Sequence, residues 1–324
     1  MSHTIIGLDI GGTNLRIGAV SEKKKVIVSK ILDSEIVSKA DSPIETLCEI
    51  IQNYITENRI ENLHAVSIGV PSSVADDNET VICTTNMQDK QGKPIFQNTN
   101  IAAYLRKSLN LPVYVNNDTS NILFYDVYNH NLQNRKLVIG IYIGTGVGAS
   151  VLIDGKSLKG ANGAALDLGH IPYYKGKDLC SCSKHGCCEC YASGWKLQKI
   201  RSTYYPDEDI KNIFVNHSDE EPLQDFLYSC SHVFSVMTTI FNPDTVIAGG
   251  GVIEMNGFPK KRFEEMVKTN TGLDVMNFGF DLIYSNSNVE KGIVGAAIFA
   301  EQMMEKKITG NSVFKEQMMK TGTY

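Results

Sequence analysis

Five of the eight cysteines lie within a segment of eleven residues, and this clustering needs a chemical reason. They are Cys180, Cys182, Cys187, Cys188 and Cys190. Zinc prefers four ligands in a tetrahedron, and cysteine with histidine is a common donor set of structural sites. The spacing Cys180-x-Cys182-x4-Cys187 supplies three ligands, and the sequence allows Cys190, His170 or His185 as the fourth. We therefore predict a structural zinc site and leave its fourth ligand open at this point.

Two glycine-rich turns form a second group of residues suited to chemistry. Gly11-Gly12-Thr13 and Gly144-Thr145-Gly146 each follow a strand-like run. Glycine lets backbone N–H groups approach an anion without a Cβ in the way, so such turns hold phosphates. Neither turn has the lysine of a Walker loop, and neither opens directly into a helix as a dinucleotide-binding fingerprint does. Either turn alone is also typical of a tight hairpin, but together with Asp9 and Gly249-Gly250-Gly251 they favour phosphate binding.

The elements that position these residues follow an α/β pattern. Short β-branched runs predict strands, and apolar residues at helical spacing predict helices. In the first part of the chain we predict strands at 4–8, 15–20, 26–31, 63–70 and 113–115, and helices at 43–59 and 101–109. The last of these strands ends at Asn116-Asn117-Asp118, and polar residues at strand ends commonly build the sites of α/β folds.

The same order of elements then restarts. Predicted strands at 136–143 and 149–153 flank the second glycine turn, as strands flank the first. Later elements are a helix at about 222–241, a strand at 245–248 and a closing helix at about 292–305. This repetition predicts a duplicated domain, with the boundary in the helix after Asp118, near residues 119–135.

Length, composition and charge narrow the class of protein. With 324 residues the chain favours two domains, since domains average roughly 150 residues. The 42% hydrophobic and 21% charged residues exclude a disordered or collagen-like chain, and a net charge of −5 argues against a nucleic-acid surface. No secretory signal is evident, and the uncharged stretch 137–153, with 17 residues and four glycines, is too short for a membrane span of ~20 residues. We expect a cytoplasmic protein, where clustered cysteines favour metal binding over disulfides.

Several motifs occur together in one order and spacing. They are Asp9-Ile10-Gly11-Gly12-Thr13, Asn117-Asp118, Ile143-Gly144-Thr145-Gly146-Val147-Gly148, Gly169-His170, Cys180-Ser181-Cys182 with Cys187, and Ala248-Gly249-Gly250-Gly251. These motifs resemble those of the ROK family of sugar kinases, repressors and related proteins, and the resemblance covers nearly the whole chain. The resemblance implies an α/β, duplicated ribonuclease-H-like fold of the actin and hexokinase type. It also implies an N-terminal lobe of residues 1–118 plus about 293–324, and a C-terminal lobe of about 119–292 with a zinc-binding loop at 170–190.

The resemblance further implies an ATP-dependent hexose kinase, in which a carboxylate accepts the proton of the sugar hydroxyl. Asp118 matches the catalytic base, although an aspartate there could also cap the following helix. Asp9 resembles the acid that holds phosphate-bound Mg²⁺, and its alternative role is to cap the turn. The implied nucleotide-binding residues, besides Asp9, are Gly11, Gly12, Thr13, Gly144, Thr145, Gly146, Gly249, Gly250 and Gly251. Asn14 stands where many relatives have lysine, so we leave it out of the site.

The same resemblance selects the zinc ligands and the residues that bind the sugar. The implied zinc ligands are His170, Cys180, Cys182 and Cys187, which leaves Cys188 and Cys190 without a role. The implied sugar-binding residues are Asn86, Asn117, Asp167, His170 and Glu189. Asp167 departs from the glutamate usual in the family, and its shorter side chain could change which sugar epimer fits. Exposed or capping carboxylates are the alternative for Asp167 and Glu189.

Within the family, the segment from Gly250 to Pro259 and the Cys187-Cys188-Glu189 sequence are most similar to bacterial allose kinases. This similarity implies phosphorylation of D-allose to D-allose 6-phosphate, with glucokinase, fructokinase or N-acylmannosamine kinase as alternatives. A ROK repressor needs an extra N-terminal helix-turn-helix, and the first strand predicted at about Thr4 leaves no room for one. A non-catalytic sugar sensor is the alternative from another class. We expect ATP, Mg²⁺ and Zn²⁺ as cofactors, no nucleic-acid or membrane partner, and a homodimer.

Overall fold

The computed structural model describes residues 3–84, 87–271 and 279–321, with side chains as far as Lys306. The chain forms two compact units, each with its own hydrophobic core. The first unit consists of Met1–Tyr125, Lys159–Ala164 and Val289–Tyr324, and the second consists of Asp126–Leu158 and Ala165–Asn288. The sequence-based division at 118 did not include the short segment 159–164 in the N-terminal lobe.

The first unit is built on a five-stranded sheet in the order β3-β2-β1-β4-β8. Its strands β1, β2 and β3 are antiparallel neighbours, whereas β1, β4 and β8 run parallel. A small three-stranded antiparallel sheet, β5-β6-β7, accompanies it. The strands are β1 Thr4–Ile10, β2 Asn14–Ser21, β3 Val26–Asp33, β4 Leu63–Val70, β5 Ser73–Val74, β6 Thr80–Cys83, β7 Thr99–Asn100 and β8 Val113–Asn117.

The central strand β1 is buried on both faces because helices cover the sheet. Every residue of β1 is buried except Asp9, which is partly exposed at the carboxyl end of the strand. The helices numbered along this part of the chain are α1 Glu35–Ser38, α2 Pro43–Glu57, α3 Ile101–Leu109 and α4 Asp118–Asn129. The division between the two units falls inside α4, between Tyr125 and Asp126.

The last helix of the chain, α10 (Lys291–Thr321), packs on the first sheet through glycines. A Cβ at Gly7 of β1 would lie 2.1 Å from the carbonyl oxygen of Ile293. A Cβ at Gly295 would lie 1.8 Å from the carbonyl oxygen of Asn121 in α4. Only glycine permits these backbones to approach so closely. The closing helix is thereby held against β1 and α4, the two elements that carry Asp9 and Asp118.

The second unit repeats the topology of the first. Its five-stranded sheet has the order β11-β10-β9-β12-β13, with β9, β10 and β11 antiparallel and β9, β12 and β13 parallel. The strands are β9 Leu137–Ile143, β10 Val147–Ile153, β11 Lys156–Ser157, β12 Thr245–Gly249 and β13 Asp281–Tyr284. Two sheets with the same order and directions fulfil the expectation of a duplicated fold.

Helices of the second unit pack around a core that includes four fully buried phenylalanines, Phe214, Phe226, Phe234 and Phe263. The helices are α5 Glu189–Ala192, α6 Gly194–Tyr204, α7 Ile213–His217, α8 Glu221–Phe241 and α9 Lys260–Asn270, with 3₁₀ turns at Leu168–His170 and Ile210–Asn212. Within the described residues, no helix combines the length and the apolar character needed to cross a membrane.

Candidate active site

In the first unit, polar residues gather at the carboxyl ends of the parallel strands. Asp9 is the penultimate residue of β1, Asn117 is the last residue of β8, and Asp118 begins α4. Neighbouring β4 provides room for this arrangement, because a Cβ at Gly69 would lie 2.8 Å from Nδ2 of Asn121 and 3.5 Å from Cα of Asp118. The carboxyl edge of an α/β sheet is where ligands are usually bound.

The side chains of Asn117 and Asp118 have different hydrogen-bond partners at the start of α4. Asn117 Oδ1 accepts a hydrogen bond from the backbone N–H of Ser120 at 3.1 Å, which is the bond that an N-cap residue makes. Asp118 Oδ1 accepts from the backbone N–H of Thr119 at 2.7 Å. Asp118 Oδ2 accepts no hydrogen bond from any residue that the structure describes. The cap is therefore Asn117, and one carboxylate oxygen of Asp118 is left for a ligand.

The electrostatics of this edge suit a proton acceptor. Burial raises the pKa of Asp118 to about 7, and the negative charge of Asp9 contributes to the same shift. Burial also raises the pKa of Asp9, although its ion pair with Arg16 opposes that shift. The distance between Arg16 Nη1 and Asp9 Oδ2 is 3.4 Å. Arg16 was not among the predicted site residues, and its alignment opposite Asp9 in the β1–β2 hairpin is the signal that could have found it.

The first glycine turn closes the β1–β2 hairpin. Gly11 N–H donates to the carbonyl of Asn14 at 2.8 Å, while Gly12 and Thr13 are exposed. Ser34, just after β3, holds the turn from the other side. Its hydroxyl donates to the carbonyl of Gly12 at 2.8 Å, and its backbone N–H donates to the carbonyl of Thr13 at 3.0 Å. Ser34 was likewise missed by the sequence analysis, because its role depends on pairing between β2 and β3.

The second glycine turn joins β9 to β10 and is tied to the start of α6. Gly144 N–H donates to the carbonyl of Gly146 at 3.0 Å, which makes the turn tight. The first N–H groups of α6, those of Gly194 and Trp195, donate to the carbonyls of Gly144 and Thr145 at 2.7 and 3.2 Å. The carbonyls of the turn are thus engaged by a helix terminus, and space is open where a Cβ of Gly144 would stand.

The third glycine segment, Gly249–Gly251, begins at the last residue of β12. It lies at the same sheet edge as the second turn, because β12 and β9 are parallel neighbours. Gly250 has φ +95°, and a Cβ there would lie 2.5 Å from the carbonyl oxygen of Ile143. Its N–H donates to Glu254 Oε1 at 3.2 Å. Gly251 faces open space, with no atom within 4 Å of a Cβ built on it. The second unit therefore has open space beside Gly144 and Gly251, in two glycine segments at one sheet edge.

A cluster of possible metal ligands lies in the loop between β11 and α6. His170, Cys180, Cys182 and Cys187 each offer one ligand atom, and these four atoms all lie within 4.8 Å of one another. The Sγ atoms of Cys182 and Cys187 are 3.6 Å apart, and Cys180 Sγ is 3.5 Å from His170 Nδ1. A tetrahedron with zinc–sulfur bonds of about 2.3 Å has edges of about 3.8 Å. The cluster thus has the donor types and the spacing of a tetrahedral zinc site.

The other candidate ligands of the sequence analysis have different partners. His185 Nδ1 lies 2.9 Å from the carbonyl oxygen of Lys177, and Cys190 Sγ lies 3.8 Å from the carbonyl oxygen of Asp178. Cys188 is fully buried in the main core of the second unit, as a small hydrophobic residue. The geometry therefore agrees with His170 as the fourth ligand.

Glu189 connects the metal-ligand cluster to the second glycine turn. Its Oε1 accepts from the hydroxyl of Ser181 at 3.1 Å and lies 3.4 Å from Cys180 Sγ. Its Oε2 lies so near Gly146 that a Cβ there would be 2.7 Å away. Asp167 is 71% exposed, and its Oδ1 is 3.9 Å from His170 Nε2. The second unit thus brings Asp167, His170 and Glu189 near one another, whereas Asn86 lies outside the described residues.

Comparison with known proteins connects this geometry to one family. The model of the ROK family matches residues 5–303. The N-acetyl-D-glucosamine kinase of Vibrio parahaemolyticus is 26% identical over 262 residues, which are 76% of this chain and 83% of that protein. The N-acetyl-D-glucosamine kinase of Vibrio vulnificus strain YJ016 is 27% identical over 264 residues, with the same coverage.

Solved structures share the fold at lower sequence identity. A ROK family glucokinase from Streptomyces griseus, in complex with glucose and AMPPNP, has a TM-score of 0.68 at 22% identity. The match covers 92% of this chain and 99% of that one. A ROK family transcriptional regulator, a homologue of the E. coli MLC protein, has a TM-score of 0.77 at 20% identity and covers 91% of this chain and 77% of that one. The predicted two-lobe α/β fold is confirmed.

Proposed function

Because the chain belongs to the ROK family, we propose that it transfers a phosphoryl group from ATP to a hydroxyl of a hexose. The observation that carries the proposal is the carboxylate of Asp118, which has one oxygen free of hydrogen bonds from the described residues and a pKa raised to about 7. A general base works best when its pKa lies near the operating pH. Asp118 then accepts the proton of the sugar hydroxyl as that oxygen attacks the terminal phosphorus.

Backbone amides and Mg²⁺, rather than a basic surface, would hold the phosphates of ATP in this acidic chain. We assign this binding to Gly11, Gly12 and Thr13 in the first unit, and to Gly144, Thr145, Gly146, Gly249, Gly250 and Gly251 in the second. Asp9 fits a magnesium site because Oδ1 accepts no hydrogen bond from the described residues, while Arg16 lies against Oδ2. Mg²⁺ would neutralise phosphate charge in the transition state.

Binding of the sugar is assigned to Asn117, Asp167, His170 and Glu189, together with Asn86. Hydroxyl groups need both donors and acceptors, and these amide, imidazole and carboxylate groups provide them. Zn²⁺ at His170, Cys180, Cys182 and Cys187 would be structural, because four protein ligands leave no open position for water. The loop that carries these ligands would hold His170 and Glu189 in fixed orientations for the sugar.

D-allose is the first candidate for the sugar, and it rests on the sequence of the Gly250–Pro259 segment and of Cys187-Cys188-Glu189. N-acetyl-D-glucosamine is the second, because the curated relatives reported above carry that activity in their names. Glucose, fructose and N-acylmannosamines remain the further alternatives, since kinases for them would share the phosphate-binding and zinc-binding residues. We also propose that the protein acts in the cytoplasm as a homodimer. No nucleic-acid or membrane partner is part of the proposal.

The test is a comparison of kcat/KM for six sugars with MgATP: allose, glucose, mannose, fructose, N-acetylglucosamine and N-acetylmannosamine. The proposal expects ATP-dependent formation of a hexose 6-phosphate, with allose the best substrate. A tenfold preference for any other sugar overturns the assignment to allose and leaves the kinase assignment intact. The absence of ATP consumption with all six sugars overturns the kinase assignment itself.

A non-catalytic sugar-sensing protein is the second candidate, because a ROK family transcriptional regulator shares the fold. A sensor would bind a sugar without consuming ATP. Calorimetry with the same six sugars separates the two functions, since a sensor gives binding without turnover, whereas a kinase gives both.

We expect the catalytic rate to depend on pH through Asp118. The carboxyl must be ionised to accept a proton, so kcat/KM should rise with pH through an apparent pKa of about 7 and level off above it. Below that pH the rate should fall about tenfold per pH unit. Asp118→Asn serves as the control, and the kcat/KM of its residual activity should not rise with pH through this range. The same pH dependence in that variant would assign the titration to another group.

A further inference from the structure

Asp126 is a buried carboxylate of the second unit that the proposed chemistry does not use. Its side chain is 0% exposed, and it lies on α4, eight residues after Asp118. The hydroxyl of Tyr142 donates to Asp126 Oδ2 at 2.8 Å. Ser285 Oγ lies 2.7 Å from Oδ1 and 2.8 Å from Oδ2, so its one proton is shared by the two oxygens. Burying a carboxylate is unfavourable unless it is well hydrogen-bonded, so a purely structural core would more readily place an apolar residue here.

The two residues that donate to Asp126 also enclose Gly249. A Cβ at Gly249 would lie 2.8 Å from Cβ of Ser285 and 2.8 Å from Cδ1 of Tyr142. Tyr142 is the register partner of Gly249 in the β9–β12 ladder, and Ser285 N–H donates to the carbonyl of Ala248 at 2.9 Å. The backbone of Gly249 is thus packed between two side chains that Asp126 holds in place.

The charge states of Asp126 and Tyr142 favour the hydrogen bond between them. Burial and the charge of Asp126 raise the pKa of Tyr142 well above its ordinary value, so its phenol stays protonated and remains a donor. Hydrogen bonds to a charged carboxylate are stronger than hydrogen bonds to the neutral amide of asparagine. Asp126→Asn therefore weakens the bonds from Tyr142 and Ser285, although the two side chains have nearly the same shape.

We propose that Asp126 is a positioning residue for nucleotide binding, which acts through Tyr142 and Ser285 to fix the backbone of Gly249–Gly251 at the carboxyl edge of the second sheet. The proposal rests on the proposed function, in which that segment contacts the nucleotide. Backbone groups that bind phosphates or adenosine must be held rigidly, because small displacements weaken hydrogen bonds and charge contacts. Asp126 itself touches no reacting atom in this scheme.

The test is the steady-state kinetics of Asp126→Asn and Ser285→Ala, with ADP affinity measured by calorimetry. We expect the KM for ATP and the Kd for ADP to rise about tenfold or more, while kcat and the KM for the sugar change less than about threefold. Ser285→Ala keeps the Cβ that contacts Gly249 and removes only the hydroxyl, so it reports on the hydrogen bond if Asp126→Asn fails to fold. Ser235→Ala is the matched control, since Ser235 is a buried serine of the same unit whose hydroxyl donates to the carbonyls of Ser231 in α8 and Val267 in α9.

The outcomes separate the inference from the proposed function. If Asp126→Asn and Ser285→Ala lose only thermal stability, as Ser235→Ala should, and the KM for ATP stays within twofold, Asp126 is merely structural. An equal rise in the KM for ATP and the KM for the sugar also contradicts a role specific to the nucleotide. If the wild-type protein neither consumes ATP nor binds ADP, the proposed function fails, and the inference fails with it.

Discussion

Asp118→Asn is expected to lower kcat by ~10²–10⁴, the usual contribution of a general base, while the protein still folds. Asparagine has the same shape, and its oxygen can still accept the hydrogen bond from Thr119 N–H that Asp118 Oδ1 accepts at 2.7 Å. The lost group is the second carboxylate oxygen, which would accept the sugar proton. The KM for ATP should change little, because the amide removes a base and not a phosphate ligand. Turnover within about threefold of the wild type would contradict the assignment of Asp118 as the base.

The same substitution is expected to increase the free energy of unfolding at pH 8. Burial raises the pKa of Asp118 from 3.8 to about 7, so the folded protein holds this proton more tightly than the unfolded chain. Stability therefore falls as the pH rises through this window, and the penalty is fully present above pH 7. Asparagine carries no charge and escapes that penalty. A loss of activity combined with a gain of stability is typical of a functional site.

Asp77→Asn is the control, because it is expected to change the free energy of unfolding in the opposite direction. Burial raises the pKa of Asp77, but hydrogen bonds from Thr80 and Glu79 outweigh it and lower the pKa overall. The ionised form therefore stabilises the fold, and the amide should lower the free energy of unfolding at pH 8 without changing turnover. If both variants were destabilised at this pH, the unfavourable burial attributed to Asp118 would be wrong. Denaturant unfolding at pH 5 and pH 8 measures both effects.

Metal analysis of the purified wild type is expected to find one zinc per chain. Cys187→Ser is expected to abolish this zinc binding. A serine hydroxyl is a poor substitute for a thiolate, and the loop loses the metal that joins His170 to the cysteines. We expect activity to fall about 10–100-fold, chiefly through a higher KM for the sugar, because His170 and Glu189 lose their fixed orientation. Removal of zinc from the wild type with a chelator should reproduce the change, and added zinc should reverse it.

Cys190→Ser is the matched control, because Cys187 and Cys190 are both 2% exposed and both lie in the same cysteine cluster. Only Cys187 belongs to the group of four whose ligand atoms lie within 4.8 Å of one another. Cys190→Ser should therefore retain stoichiometric zinc, and any loss of stability should leave the KM for the sugar unchanged. If Cys190→Ser lost zinc while His170→Ala kept it, the fourth ligand would be Cys190.

Local sequence signals predicted most of the secondary structure. The β-branched runs around Gly11-Gly12 predicted the first hairpin, and strand β4 and helix α3 have the predicted bounds at 63–70 and 101–109. These features depend on hydrophobic period and turn chemistry, which neighbouring residues determine. The closing helix was predicted to end at about 305 but continues to Thr321. Helix ends are less certain from sequence because a single glycine such as Gly310 costs only about 1 kcal/mol.

Residue type and spacing alone determined which chemistry was available: three cysteines spaced for a metal, glycine turns suited to phosphates, and acids at strand ends. The tertiary structure decided which of those residues lie together. It placed His170, rather than Cys190 or His185, with the three cysteines, and it made Asn117 the cap of α4, which left an oxygen of Asp118 free of hydrogen bonds from the described residues. It also buried Asp118 and brought the charge of Asp9 near it, and both effects raise the pKa of Asp118. The distances among the metal ligands and the contact between Asp9 and Asp118 arise between separate segments of the chain, so only the packing of strands, loops and helices sets them. The cap at Asn117 is a local contact, but it depends on the residue at which α4 begins.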